Sequence, residues 1–186
     1  MPGLDELVTI SAVGSLTIIT GSPGAGKTTL ASRLAQLSPR GAHVAGDTFY
    51  TFLAHPIKPT LPESHRQNNA VIRAAVRSAA ALANAGYEVF LDGIFGPWFL
   101  PEICEELTGA GFETYYLVLR VTLEQALKRA AERDPLLDEE AVRQMHGAFA
   151  QLGRYEAHVL DAGGMPPDEL IHRVRQLHPA LRLPRV

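Results

Sequence analysis

Short apolar runs alternate along the chain with longer segments in which apolar residues recur at helical spacing. The runs that predict strands cover residues 16–20, 43–46, 88–92, 114–120 and 158–161. Most are apolar throughout rather than at every second position, which is typical of strands covered on both faces. Strand runs separated by helices predict a parallel α/β sheet, as opposed to a β-sandwich or a helix bundle.

The segments between these runs carry signals for helix starts. Ser64 is followed three residues later by Gln67, and Thr122 by Gln125 in the same way, so both pairs predict capping boxes. Asp138 precedes another apolar stripe and is a candidate N-cap. The pattern therefore predicts a helix after the second strand and two helices between the fourth and fifth strands.

Composition limits the class of protein. The 186 residues are 46% hydrophobic, which predicts one compact domain over residues 1–186. A single cysteine, Cys104, excludes an intrachain disulfide and favours the cytoplasm. We expect no membrane association, because no apolar run is long enough to span a bilayer and the N-terminus is acidic. With a net charge of -3, nucleic acid is not the expected partner.

One segment fits G-x-x-x-x-G-K-[ST] at every fixed position, directly between a predicted strand and a predicted helix. The residues expected to contact a nucleotide are Gly21, Ser22, Pro23, Gly24, Ala25, Gly26, Lys27, Thr28 and Thr29. The glycines let backbone N–H groups point at an anion, and the helix adds the positive end of its dipole. Lys27 can reach the β- and γ-phosphates, and the Thr28 hydroxyl is the predicted Mg²⁺ ligand. The segment predicts a nucleoside triphosphate site rather than a glycine-rich turn that binds nothing.

Two aspartates follow the second and third predicted strands. Asp47 and Asp92 would lie at the carboxyl edge of a parallel sheet, where ligands bind. A carboxylate there can accept the proton of an attacking hydroxyl, or hold Mg²⁺ directly or through water. The alternative is that each aspartate only caps a loop or helix. Which of the two is the base stays open at this stage.

The segments GSPGAGKTT, VAGDTFY and VFLDGIFGPW together resemble small P-loop kinases of the shikimate and gluconate kinase and chloramphenicol phosphotransferase type. The resemblance extends from about Thr17 to Leu177. It implies a three-layer α/β/α P-loop NTPase fold, with a five-stranded parallel sheet of order 2-3-1-4-5 and a small lid. It also implies ATP and Mg²⁺ as cofactors and Asp47 as general base or substrate anchor. The glycine run and paired aspartates typical of shikimate kinases are absent from the sequence, which argues against shikimate as the acceptor.

The stretch LKRAAERDPLLDEE resembles the lid of these kinases, which we place at approximately residues 129–140. Arg129 and Arg133 are four residues apart on one helix face. Arg133 is a predicted catalytic residue that neutralises charge during phosphoryl transfer, and Arg129 is a predicted nucleotide contact. The alternative is a solvated face in which these arginines pair with neighbouring acids.

Two aromatic-rich loops, at residues 48–57 and 94–99, leave strands at the predicted catalytic edge. Phe49, Phe52 and Trp98 are predicted to line an acceptor pocket, which favours a neutral or partly hydrophobic hydroxyl compound. Arg66, on the following helix, is a further predicted substrate contact and would suit an acidic acceptor. The alternative is that the aromatic residues seal the core and that Arg66 lies on a solvated helix face.

These observations lead to one hypothesis and two competitors. The hypothesis is a kinase that transfers the γ-phosphoryl group of ATP to a hydroxyl of a small molecule, such as an antibiotic or a sugar-like metabolite. Its predicted catalytic residues are Lys27, Asp47, Asp92 and Arg133. We expect a monomer or homodimer. The competitors are a kinase for a nucleotide, nucleoside or polynucleotide 5′-hydroxyl, and an ATP-binding switch protein without kinase activity.

Overall fold

The fold is a parallel sheet with helices on both faces, seen in a computed structural model that describes residues 13–133 and 138–184. The strands are β1 (Ser15–Gly21), β2 (Gly41–Ala45), β3 (Glu88–Asp92), β4 (Glu113–Arg120) and β5 (Val159–Asp161). Their order is β2-β3-β1-β4-β5, and each neighbouring pair is parallel. The fold class and the strand order expected from the sequence are confirmed.

The helices form two layers around this sheet. They are α1 (Lys27–Leu37), α2 (His65–Asn84), α3 (Leu100–Glu106), α4 (Leu123–Arg133), α5 (Glu139–Ala148) and α6 (Pro167–Leu177). Helices α2 and α3 pack with Leu16 and Leu91 on one face of the sheet. Helices α1, α4 and α6 pack with Ile19 and Leu117 on the other face. Because both faces are covered, the interior strands β1, β3 and β4 are buried over most of their length, as the sequence pattern predicted.

Strand register brings the carboxyl ends of β1, β2 and β3 to one edge. Ile19 in β1 and Ala45 in β2 both pair with Asp92, the last residue of β3. The chain leaves β1 into the glycine-rich loop, and it leaves β2 into a short 3₁₀ helix, Gly46–Phe52. Parallel pairing therefore places the glycine-rich loop, Asp47 and Asp92 at the same edge of the sheet.

Two of the predicted helix caps are present. The backbone N–H of Gln125 donates to Thr122 Oγ1 and the N–H of Thr122 donates to Gln125 Oε1, both at 3.2 Å, so this capping box is confirmed. The side chain of Asp138 accepts a hydrogen bond from the N–H of Ala141 at the start of α5. Both helices begin where the sequence places them.

The capping box predicted at Ser64 is wrong. Ser64 Oγ donates to carbonyl oxygens of the preceding loop, at Pro59 and Leu61. The side-chain amide of Gln67 bonds to both the N–H and the carbonyl of Ile57, each at 2.7 Å. The loop before α2 folds back on the helix, and its backbone groups form hydrogen bonds with the side chains of both Ser64 and Gln67. A capping signal cannot reveal such a competing partner.

The predicted lid is described only in part. Helix α4 ends at Arg133, and Asp138 caps the next helix. Residues 134–137 of the predicted lid lie outside the described residues, as do residues 1–12 and 185–186. Within residues 13–133 and 138–184, no helix combines the length and apolar character needed to cross a membrane.

Candidate active site

The loop between β1 and α1 has the backbone conformation of an anion cradle. Gly24 and Gly26 have φ angles of 77° and 94°, in the left-handed region that favours glycine. A Cβ added at Gly24 would lie 2.3 Å from the carbonyl oxygen of Ala126, so any side chain there would displace α4. The first turn of α1 carries no acidic residue. Its free N–H groups and the positive end of its dipole can therefore attract a negatively charged ligand.

Lys27 supplies a cation inside this loop. Its side chain is buried, and Nζ donates to the carbonyl oxygen of Ser22 at 3.0 Å. Burial lowers the pKa of Lys27 to about 8, and Arg133 adds to the lowering, whereas Asp47 and Asp92 oppose it. Because burial disfavours the charged form of Lys27, a polyanion that binds beside it would stabilise that charged form.

Asp92 is held by two side chains at the end of β3. It is almost fully buried. Thr28 Oγ1 donates to Asp92 Oδ2 at 2.5 Å, and His43 Nε2 lies 2.6 Å from Oδ1. Since an ionised carboxylate only accepts hydrogen bonds, His43 Nε2 is the donor. The sequence pattern does not single out His43, because its approach to Asp92 depends on the register between β2 and β3.

Asp47 lies in the first turn of the 3₁₀ helix and faces a cavity. Asp47 is exposed towards the cavity, while protein atoms on its other sides partly desolvate the carboxylate. Burial raises the pKa of Asp47, and Asp92 adds to the rise, whereas Lys27 and Arg133 oppose it. A carboxylate with a raised pKa is a better proton acceptor than an ordinary one. The site therefore contains a candidate base next to a candidate phosphate-binding lysine.

The backbone at Gly46 packs closely against the ring of Phe95, and this packing positions Asp47. A Cβ at Gly46 would lie 2.6 Å from Phe95 Cζ and 2.8 Å from the carbonyl oxygen of Asp92. Phe95 is itself fixed, because its N–H donates to Thr20 Oγ1 at 2.9 Å and its carbonyl accepts from the Tyr116 hydroxyl at 2.8 Å. Only glycine lets β2 turn this closely over the ring. The turn brings Asp47 over the end of the sheet.

The cavity in front of Asp47 has a volume of about 810 Å³. Its walls are mainly apolar and include Ile72, Ile94, Phe95, Trp98, Val142 and Met145. The walls come from α2, from the loop after β3 and from α5. A mainly apolar cavity with a few polar groups is typical of a small-molecule site.

A polar cluster forms one side of this cavity. The Tyr50 hydroxyl donates to Asn68 Oδ1 at 3.0 Å. Asn68 Nδ2 donates to the carbonyl of Pro59 at 2.8 Å and to Ser64 Oγ at 2.9 Å, so Asn68 is rigidly held. Burial and the nearby charge of Asp47 raise the pKa of Tyr50 to about 12. Tyr50 therefore stays protonated, and its oxygen can accept a hydrogen bond from a ligand close to Asp47.

The arginines of α2 point away from the cavity. Arg73 and Arg77 both pair with Glu106, and Arg73 also pairs with Glu105. No arginine is among the described residues that line the cavity. Lys58 does line it, but Lys58 Nζ pairs with Asp138 at 2.6 Å. The cavity offers little unpaired positive charge to an acidic ligand.

A family model described as an AAA domain matches residues 16–152 of the sequence. The chain belongs to this family of P-loop kinase domains. The matched range includes the glycine-rich loop, both aspartates and most of the cavity wall. Nucleotide use follows from this family and fold. No curated protein matches the sequence.

Solved structures show the same P-loop kinase fold. Shikimate kinase from Acinetobacter baumannii in complex with shikimate has 21% identity and a TM-score of 0.63, covering 89% of this chain and 92% of that one. The Deinococcus radiodurans tunicamycin resistance protein has 17% identity and a TM-score of 0.64, covering 92% and 99%. A chain of the Pnkp1/Rnl/Hen1 RNA repair complex has 16% identity and a TM-score of 0.61. The alignment covers 94% of this chain but only 49% of that one, so this chain spans about half its length.

In this P-loop kinase domain, the predicted substrate contacts lie in different places. Trp98 lines the cavity, and 42% of its surface is exposed. Phe49 packs against the core, and Phe52 is 73% exposed with its ring edge-on to that of Phe49. Arg66 lines a separate, shallow pocket beside His55. Of the four, the structure brings only Trp98 to the cavity that contains Asp47.

The 3₁₀ helix explains the positions of the two phenylalanines. Residues three apart share a face in such a helix. Asp47 and Tyr50 are on the face that lines the cavity, so Phe49 and Phe52 are on another. Tyr50 thus occupies the place predicted for the two phenylalanines.

The predicted lid arginines lie in the last two turns of α4. Arg133 contributes electrostatically to both Lys27 and Asp47. Its charge is therefore close enough to affect the predicted catalytic groups. Arg129 is exposed one turn earlier on the same helix.

Proposed function

We propose that the protein is an ATP- and Mg²⁺-dependent kinase that phosphorylates a hydroxyl group of an uncharged, partly apolar small molecule. One observation carries the proposal: Asp47 faces an apolar cavity on one side and interacts electrostatically with Lys27 of the phosphate loop on the other. Membership in a P-loop kinase domain family supports phosphoryl transfer, and the cavity supports the acceptor class.

The phosphate loop would hold the nucleotide. Its N–H groups and the start of α1 would contact the phosphates, with Lys27 beside the β- and γ-phosphates. The residues Gly21, Ser22, Pro23, Gly24, Ala25, Gly26, Thr28 and Thr29 complete this proposed binding loop. We assign Arg129 to the outer part of the same site because it precedes Arg133 by one helical turn.

The donors near Thr28 fit Mg²⁺. The Thr28 hydroxyl and the Asp92 carboxylate are hard oxygen donors 2.5 Å apart, at the mouth of the phosphate loop. Thr28 would be a direct ligand, and Asp92 would act directly or through water. When bound, the metal would offset negative charge on the phosphates.

Phosphoryl transfer would follow from the position of Asp47. The acceptor hydroxyl oxygen forms a bond to the γ-phosphorus, the bond from that phosphorus to the bridging oxygen breaks, and ADP leaves with the bonding electron pair. Asp47 accepts the hydroxyl proton. Arg133 and Lys27 stabilise the negative charge on the transferred group.

The acceptor class rests on the charges around the cavity. Arg73 and Arg77 pair with acids of α3, and Lys58 pairs with Asp138. Among the described residues that line the cavity, a carboxylate or phosphate on the acceptor would therefore meet no arginine and no unpaired lysine, and it would lie near Asp47. An uncharged compound with an apolar body, such as an antibiotic or a sugar-like metabolite with apolar groups, avoids this repulsion.

The test is a screen for ADP release at fixed ATP and Mg²⁺. Three compound sets are compared: uncharged hydroxyl compounds with apolar groups, free sugars and polyols, and hydroxy acids or phosphorylated alcohols. We expect strong stimulation from members of the first set only. Asp47→Asn should lower turnover at least about 100-fold while leaving nucleotide affinity nearly unchanged. Unchanged turnover in this variant would remove Asp47 from the mechanism, and preferential stimulation by acids would overturn the acceptor class.

A second candidate is a polynucleotide 5′-hydroxyl kinase. The likeness to a chain of the RNA repair complex favours it, whereas the net charge of -3 does not. Transfer of labelled phosphate from ATP to a 5′-hydroxyl oligonucleotide distinguishes the two kinases. A switch protein would instead release ADP slowly, without stimulation by any of these compounds.

A further inference from the structure

His43 is a partly buried histidine of strand β2. It lies outside the acceptor cavity, but it contacts Asp92 of the proposed metal site. We propose that His43 is a positioning residue, which orients Asp92 so that Thr28 presents its hydroxyl oxygen correctly to Mg²⁺. The inference rests on the proposed use of a magnesium nucleotide.

Strand register accounts for the contact. Ala45 in β2 pairs with Asp92 in β3, and His43 precedes Ala45 by two residues. Side chains two apart in a strand point to the same face. The imidazole therefore extends along the face on which Asp92 lies, and Nε2 comes within 2.6 Å of Oδ1.

The two hydrogen bonds at Asp92 use different oxygens. His43 donates to Oδ1, and Thr28 donates to Oδ2 at 2.5 Å. A hydroxyl has one hydrogen and two lone pairs, so donation to Asp92 directs the lone pairs of Thr28 elsewhere, available to a cation. Without His43, the carboxylate could rotate about its terminal bond and the Thr28 hydroxyl would lose its fixed direction. Groups that hold metal ligands in this way affect metal affinity strongly.

The position of His43 separates this role from acceptor binding. Asp92 is 5% exposed at its side chain and His43 is 22% exposed. His43 is not among the residues that line the acceptor cavity. Its loss should therefore change the response to Mg²⁺ without changing the KM for the acceptor.

The experiment measures binding of a non-hydrolysable ATP analogue by calorimetry, with and without Mg²⁺. His43→Leu removes the donor, and His43→Asn keeps a polar side chain too short for the contact. His43→Gln places an amide nitrogen near the former Nε2. We expect the leucine and asparagine variants to weaken binding of the magnesium complex by about tenfold, with binding of the metal-free analogue within about twofold of the unaltered protein. The glutamine variant should recover most of the affinity.

His146→Leu is the matched control. His146 is also partly buried, and its Nε2 bonds to the backbone carbonyl of Val121 rather than to Asp92 or Thr28. Its loss should leave the Mg²⁺ dependence unchanged. Unfolding temperatures of all variants show whether each has folded, and the asparagine variant retains the test if leucine prevents folding.

The outcomes distinguish a failure of the proposed function from a failure of the role of His43 alone. If the unaltered protein binds no magnesium nucleotide, the proposed function fails and the role of His43 with it. If it does bind, three results would overturn the role of His43 alone: normal Mg²⁺ dependence in the leucine and asparagine variants, an equal loss with and without Mg²⁺, or no recovery with glutamine.

Discussion

Lys58 and Asp138 form an ion pair of 2.6 Å across the rim of the acceptor cavity. Lys58 belongs to the loop before α2, and Asp138, near the end of the predicted lid segment, caps α5. The Lys58 hydrogen bond lowers the pKa of Asp138, as does the backbone N–H of Ala141. Both side chains are about half exposed, so the pair adds little to overall stability. Its consequence is local, because it connects two walls of the cavity.

Lys58→Met should therefore affect acceptor binding more than folding. We expect the KM for the acceptor to rise a few-fold, with the unfolding temperature and nucleotide affinity close to those of the unaltered protein. Steady-state kinetics at varied acceptor concentration provide the measurement. Lys128→Met, at an exposed position on α4, is the control. An unchanged KM would show that the ion pair does not hold the cavity wall.

Lys27 predicts a coupling between nucleotide binding and pH. Its pKa of about 8 means that near pH 8 a large fraction of the free protein carries a neutral Lys27. Bound phosphates favour the charged form, so binding near that pH should take up a fraction of a proton, and affinity should fall as pH rises further.

Calorimetry in buffers of different ionisation enthalpy measures this uptake. The observed heat should depend on the buffer at pH 8 but only weakly at pH 6.5, where Lys27 is already charged. Lys27→Met should bind more weakly and show no such dependence. A heat independent of the buffer at pH 8 would contradict the lowered pKa.

Tyr50→Phe tests the polar side of the cavity. The change leaves Asn68 Oδ1, a buried acceptor, without the hydrogen bond that it receives at 3.0 Å. We expect the free energy of unfolding to fall by about 1–3 kcal/mol and the acceptor KM to rise. Chemical denaturation and kinetics measure the two effects. Tyr87→Phe serves as control. An unaltered KM would exclude Tyr50 from acceptor recognition.

His178 predicts a loss of stability in acid. Its ring stacks on Tyr115 with centroids 3.6 Å apart, and Nε2 lies 3.2 Å from the buried Thr17 Oγ1. Burial lowers the pKa of His178 below 6.5, although Glu88 and Glu113 oppose the shift. The unfolded chain therefore binds the proton more readily than the folded protein. The stabilisation that comes from the neutral His178 ring is complete above pH 6.5 and is lost as pH falls through the lowered pKa.

Denaturation midpoints between pH 7.5 and 5 would reveal the effect of His178. His178→Gln should flatten the pH dependence, whereas His172→Gln, at an exposed position of α6, should leave it unchanged. Equal pH dependence in the His178 variant and the unaltered protein would assign the acid sensitivity to other groups.

Local sequence patterns were sufficient to predict the features that are built from residues adjacent in the chain. The phosphate loop is contiguous, and its glycines, Lys27 and Thr28 are adjacent in the chain, so their arrangement follows from short-range backbone geometry. The same is true of the capping box at Thr122 and the cap at Asp138. Strand positions followed from apolar runs, but the strand order came from the resemblance to small P-loop kinases, because periodicity contains no information about which strands are neighbours.

Only the tertiary structure decided which distant residues meet. Register between β2 and β3 brings His43 to Asp92, and the turn of the 3₁₀ helix selects Tyr50 rather than Phe49 for the cavity wall. Gln67 bonds to a loop that folds back on its helix instead of capping it. The contact of His43 depends on packing between segments far apart in the chain, that of Gln67 on the fold of the loop before α2, and the place of Tyr50 on a short 3₁₀ helix that the apolar pattern does not predict. The sequence by itself therefore determined the phosphate loop and the pair of aspartates, whereas long-range packing decided the shape and charge of the acceptor cavity.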